Sequence, residues 1–124
     1  MTQTRNGKRI LIVEDDVDTQ ESLRLTLEGE GYTVSVAGNG QEALEQLIST
    51  DLPSLILLDL MMPIMDGWEF RKLQRTHPRF SSIPVVAVSA HRPGGNGASL
   101  DVAAYLMKPL DLDQLLATIG KVAP

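Results

Sequence analysis

The chain has no cysteine, so neither a disulfide framework nor a thiolate zinc site is open to it, which suits a reducing compartment. No apolar stretch approaches the roughly 20 residues that a membrane helix needs. Met1 to Lys8 is polar and lacks the apolar centre of a secretory signal. Positive charge is not in excess either. The formal net charge is −5, which argues against a surface of clustered Lys and Arg for nucleic-acid phosphates. These absences point to a soluble, cytoplasmic protein whose partners are neither membrane nor nucleic acid.

What remains fits one domain. The chain has 124 residues, 43% of them apolar and 22% charged, enough for a real core and too apolar for disorder. Apolar runs alternate with helix-period segments, the pattern of a parallel α/β sheet. Strands are expected near 9–14, 33–37, 54–59, 84–89 and 104–107, and helices near 17–29, 40–49, 66–76 and 111–122. The last helix is the plainest, with Leu112, Leu115, Leu116 and Ile119 spaced by three and four. Gly31 stands where a left-handed cap should end the first helix, and Pro53 marks the entry to the third strand. Residues 1–8 are expected to be a flexible tail before a single domain over 9–124, with no linker and no room for an output domain.

Two apolar runs end in acids: Ile10-Leu-Ile-Val13 runs into Glu14-Asp15-Asp16, and Leu55-Ile-Leu-Leu58 runs into Asp59. In a parallel sheet the carboxyl ends of such strands lie side by side, so the acids converge. Crowded carboxylates repel one another and are tolerable mainly beside a divalent cation. Ser89 ends a third run and Lys108 a fourth. A hydroxyl and an ammonium facing a metal-laden carboxylate make a binding place for a phosphoryl group. Each residue also has a plainer reading. Asp59, Glu14 and Asp15 could cap loops or helices, Ser89 could cap a turn, and Lys108 could be solvated surface. Asp16 reads best as the cap of the first helix.

In this order and spacing, Glu14-Asp15, Asp59 with Met62-Pro63 and Asp66-Gly67 behind it, Ser89-Ala90 and Lys108-Pro109 resemble the receiver domain of bacterial two-component response regulators. The resemblance runs from about Arg9 to Val122. It implies a flavodoxin-like, doubly wound, five-stranded parallel sheet in the order 2-1-3-4-5, with its ligand at the switch point between strands one and three. It implies that Asp59 is the phosphoacceptor, attacking a phosphohistidine of a sensor histidine kinase or a small phosphodonor. It further implies Mg²⁺ held by Asp15, Asp59 and the Met61 backbone carbonyl, with Glu14 acting through water. Lys108 would meet Asp59 when empty and a phosphoryl oxygen when loaded, Ser89 would donate its hydroxyl, and backbone amides near Met61 and Ala90 are further donors. The Lys108–Pro109 bond would be cis, and Tyr105 would be the aromatic switch residue with Ser89. A half-buried strand tyrosine is the plainer reading of Tyr105. Met61 and His91 would border the path of hydrolytic water, Met62 and Met65 read as loop and core filler, and Trp68 as packing or partner contact. Phosphorylation would bias an existing equilibrium and signal to a downstream protein, with autodephosphorylation as the only turnover.

One segment departs from the family. Arg92-Pro-Gly-Gly-Asn-Gly97 stands where a helix should join the fourth and fifth strands, and its glycines and proline oppose helix. The expectation is a fourth helix shortened or disordered, within a mobile 91–103 segment, that leaves the pocket residues untouched. Other classes fit less well. Haloacid dehalogenase-like phosphatases need a second Asp where Met61 stands, and no G-x-x-x-x-G-K-[ST] loop follows the first strand. A degenerate receiver acting only as a binding module is opposed by the intact acids, Ser89 and Lys108, while the eroded fourth helix keeps that alternative open.

Overall fold

The computed structural model describes residues 8–49, 51–62, 64–90 and 102–123. In chain order these form β1 (Arg9–Val13), α1 (Val17–Gly29), β2 (Thr33–Ala37), α2 (Gly40–Ser49), β3 (Leu55–Asp59), α3 (Gly67–Thr76), β4 (Val85–Ser89), β5 (Ala104–Met107) and α4 (Leu112–Val122). Every strand pairing is parallel, and the order is β2-β1-β3-β4-β5. This is the flavodoxin-like arrangement that the sequence predicts. The expected shortened or disordered helix, together with His91, falls on residues 91–101, outside the described residues, as do residues 1–7 of the expected tail. At the far edge of that segment, Val102 packs half-buried on the core and the Ala103 amide donates to the Val85 carbonyl at 2.8 Å. Among the described residues, no helix is long and apolar enough to cross a membrane.

The central strands are buried on both faces, which is why β3 and β4 read as unbroken apolar runs. Side chains alternate between the faces. Ile10, Ile12, Leu55, Leu57, Val86 and Val88 join Leu23 and Leu27 of α1 and Leu115 and Ile119 of α4 in one layer. Leu11, Val13, Ile56, Leu58, Val85 and Ala87 meet Ala43 and Leu47 of α2 and Phe70 of α3 in the other. Among the described residues, α1 and α4 cover one side of the sheet and α2 and α3 the other.

Element boundaries follow their caps. Asp16, Asp66 and Asp111 each sit just before a helix in extended conformation, and each accepts the amide three residues on. Asp66 and Asp111, expected inside α3 and α4, are thus their N-caps. Asp16 caps α1 as the sequence predicts. Gly31 has φ 97°, the left-handed geometry that suits glycine. Its amide donates to Glu28 and the Tyr32 amide to Leu27, at 3.0 and 3.1 Å, which closes α1 in a Schellman motif. Glu14, expected as the last residue of β1, keeps one link to the sheet, from its amide to the Ala37 carbonyl at 3.0 Å. Its own carbonyl turns to α1, and the strand ends at Val13.

Two backbone constraints lie in the β3–α3 loop. A Cβ on Gly67 would stand 2.7 Å from Leu60 Cα and 2.8 Å from the Asp59 carbonyl oxygen, so only glycine lets α3 start this close to the end of β3. Gly67→Ala is expected to lower unfolding free energy in urea by about 1–3 kcal/mol. An unchanged midpoint would mean that α3 can shift without cost. Ile64 holds φ 69° with its side chain 76% exposed, an unfavourable conformation for a β-branched residue. Ile64→Asn is expected to raise stability by about 1 kcal/mol, and a loss in the same urea experiment would disprove strain at this position.

Candidate functional site

The register delivers the acids to one place. β1 and β3 are neighbours, with Val13 opposite Leu58, so Glu14 and Asp59 are the next residues along the two strands. β3 pairs with β4, where Asp59 lies opposite Val88, and β4 pairs with β5, where Ser89 lies opposite Met107. Lys108 follows directly, and its amide donates to the Ser89 carbonyl at 2.8 Å. The Lys108–Pro109 peptide is cis.

Glu14 and Asp59 are each only 4% exposed, and Ser89 is completely buried. Asp15 is exposed. One carboxylate oxygen from each of Glu14, Asp15 and Asp59 lies within 4.8 Å of the others. The Lys108 ammonium sits 3.2 Å from Glu14 Oε1 and 3.3 Å from Asp59 Oδ2. The sequence led us to expect a contact with Asp59; the structure divides the cation between two acids. The remaining oxygens are held by backbone. The Met61 amide donates to Asp59 Oδ1 at 3.1 Å, and the Asp16 amide to Glu14 Oε2 at 3.1 Å.

Among the described residues one ammonium, that of Lys108, meets the two buried carboxylates, and burial together with this charge imbalance registers in the proton affinities. Burial pushes the Glu14 carboxyl up, against the pull of the Asp16 amide. The Asp59 charge pushes the same way and Lys108 offsets it only in part, so Glu14 titrates at about 7 instead of 4.5. Burial alone would lower Lys108, but the Glu14 and Asp59 carboxylates outweigh it and hold the ammonium above its ordinary value. An all-oxygen donor set with excess negative charge fits a hard divalent cation of the Mg²⁺ or Ca²⁺ kind.

The other residues singled out in the sequence are placed around this centre. Tyr105 is half-buried in β5 and packs on the core layer under α2 and α3, as do Met62, Met65 and Trp68. Met61 turns its side chain outward, 51% exposed, while its amide faces Asp59. One contact was not legible in the sequence. The Gln20 side-chain amide, on α1, donates to the Glu14 backbone carbonyl. Gln20 lies in a polar run with Thr19, Glu21 and Ser22, and no pattern there marks which residue turns inward.

Comparison with known families matches residues 10–120 to the response regulator receiver domain. An uncharacterised 14.6 kDa protein of Leptolyngbya boryana is 39% identical over 120 residues, spanning 94% of this chain and 91% of that protein. Response regulator MprA of Mycobacterium ulcerans is 43% identical over 113 residues. That match covers 88% of this chain but 47% of the relative, so the chain spans about half the length of such regulators. Among solved structures, the receiver domain of a signal transduction histidine kinase from Syntrophus aciditrophicus superposes with TM-score 0.87 at 28% identity, covering 94% of this chain and 90% of the other. Chemotaxis protein CheY4 of Vibrio cholerae gives 0.85 at 27% identity, covering 93% and 98%. The chain, whose strand ends gather an acidic cluster and a lysine as its sequence led us to expect, belongs to the response regulator receiver domain family of two-component signalling.

Proposed function

We propose that Asp59 is the phosphoacceptor of a two-component phosphorelay, taking a phosphoryl group from a phosphohistidine of a sensor histidine kinase or phosphotransfer protein, or from a small phosphodonor. The observation that carries this reading is the buried Asp59 carboxylate, 3.3 Å from the Lys108 ammonium, inside a three-carboxylate cluster. Asp15, Asp59, the Met61 carbonyl and, through water, Glu14 would hold Mg²⁺. Bound there, Mg²⁺ supplies charge neutralisation to the carboxylate and phosphoryl oxygens.

An Asp59 oxygen attacks phosphorus, and the new O–P bond forms as the P–N bond to the donor imidazole breaks. The electron pair of that bond stays on the departing nitrogen, and an acyl phosphate remains on Asp59. Lys108 exchanges its contact with Asp59 for a phosphoryl oxygen, and the Ser89 hydroxyl donates to another. The Met61 side chain, two residues on, offers water no proton acceptor and prolongs the phosphoryl state. Ser89 and Tyr105 carry the change to β5, and a downstream protein reads it.

Intact mass after incubation with acetyl phosphate and Mg²⁺ tests the acceptor. The wild type is expected to gain one phosphoryl group and Asp59→Asn none. A gain that persists in Asp59→Asn, or no gain with any donor, ends the proposal.

The Glu14 shift adds a pH test. Its folded-state pKa, about 7, stands above its ordinary 4.5, so the folded chain binds this proton more tightly than the unfolded one. The stability it contributes is complete below about pH 4.5 and lost as pH rises through about 7. The metal-free protein is therefore expected to melt lower at pH 8 than at about pH 5.5, and Glu14→Gln to flatten that slope. Mg²⁺ should raise the melting temperature more at the higher pH. Equal slopes in wild type and variant would place the titration elsewhere.

A further inference from the structure

Glu14 is gripped at four points. Its amide is tied to Ala37 of β2, and its two carboxylate oxygens to the Asp16 amide and Lys108. The fourth grip is on its carbonyl, which lies one residue beyond the β1 ladder and accepts from the Gln20 side-chain amide. A peptide unit is planar. Fixing the Glu14 carbonyl therefore fixes the Asp15 amide and its N–Cα bond. With the next amide, that of Asp16, held by Glu14 Oε2, the Asp15 backbone is restrained on both sides, which limits the directions its side chain can take. Asp15 is exposed and stands in the acid cluster without the burial that holds Glu14 and Asp59 in place. Gln20 itself is well anchored. It is half-buried on α1, its backbone amide donates to the Asp16 carbonyl at 2.9 Å, and Asp16 caps the helix.

We propose that Gln20 is a positioning residue that locks the Glu14–Asp15 peptide and thereby sets the preference of the acid cluster for Mg²⁺ over Ca²⁺. The proposal rests on the reading of the cluster as a Mg²⁺ site. Mg²⁺ requires near-octahedral oxygens at about 2.0–2.1 Å, whereas Ca²⁺ accepts six to eight at about 2.3–2.6 Å in looser geometry. A cluster with one ligand free to swing keeps its Ca²⁺ affinity and loses Mg²⁺ affinity.

Gln20→Met keeps the length and helix propensity of the side chain and removes the donor. Mg²⁺ and Ca²⁺ titrations, followed through the amide resonances of Glu14 to Asp16, give the ratio of the two affinities. Both ions carry the same charge, so the ratio separates geometry from electrostatics. The expected result is a loss of about five-fold in Mg²⁺ affinity, with Ca²⁺ changed less than about two-fold. In the metal-free protein, amide exchange at Asp15 and Asp16 should quicken while the melting temperature holds. Gln20→Arg restores a donor and should restore the ratio even as its charge weakens both ions. Gln20→Glu adds negative charge without a donor and should keep the ratio low. A ratio unmoved in Gln20→Met, or both affinities falling together with the melting temperature, overturns the proposal. A wild type that binds neither ion removes the Mg²⁺ reading and this inference together. A wild type that binds Mg²⁺ beside an unmoved ratio removes the inference alone.

Discussion

Two carboxylates withdrawn from water at the ends of adjacent parallel strands, with one lysine between them, set the terms for everything else at this site. Isolated buried carboxylates are costly enough that a protein usually pairs or protonates them. Here the pairing is incomplete. The Lys108 ammonium is shared by Glu14 and Asp59 at nearly equal distance, and a third acid, Asp15, stands at the edge. The elevated proton affinity of Glu14 is the unliganded protein's partial answer to that surplus. In the proposed function a divalent cation would answer it more completely, and the cation and the lysine together would balance the further negative charge of a phosphoryl group.

The fold creates this tension and also withstands it. Covering both faces of the sheet buries the middle strands completely, and the strand ends are where chain polarity changes abruptly. Strand order places β1 beside β3, so their first residues beyond the ladder are neighbours whatever follows in the loops. The loops are fastened separately. Gly67 lets the start of α3 rest on the Asp59 backbone, the Met61 amide turns back to Asp59 Oδ1, and the Asp16 amide turns back to Glu14 Oε2. These amide contacts hold the carboxylates in place and leave the cluster open to a cation.

The parts of this arrangement that were legible in the sequence are those fixed by periodicity and strand ends. Unbroken apolar runs located β3 and β4 because strands buried on both faces need no polar alternation. Asp16 and Gly31 declared the ends of α1 through the chemistry of caps. Glu14, Asp59, Ser89 and Lys108 stood out because each follows an apolar run directly. Contacts that depend on how a helix is rotated were not legible. Gln20 is one polar residue among several on α1, and only packing decides which of them reaches the Glu14 carbonyl. The division of Lys108 between two acids was hidden for the same reason, since a strand end gives a side chain's origin and not its reach. The left-handed Ile64 was hidden too, because an isoleucine gives no sign of φ 69°.

The least buried of the strands that meet the site is β5, whose four residues run from half-buried to exposed with only Leu106 enclosed. It is tied to the site from two directions, by the Lys108 amide on the Ser89 carbonyl and by the Lys108 ammonium on both buried acids. Glu14 and Asp59 sit on central strands packed on both faces, where small displacements meet dense side chains. A change in what Lys108 binds therefore meets least resistance at β5. In the proposed switch, the direction of signalling follows from this unequal stiffness: the acids stay fixed, the lysine changes partner, and the edge strand carrying Tyr105 and Met107 moves.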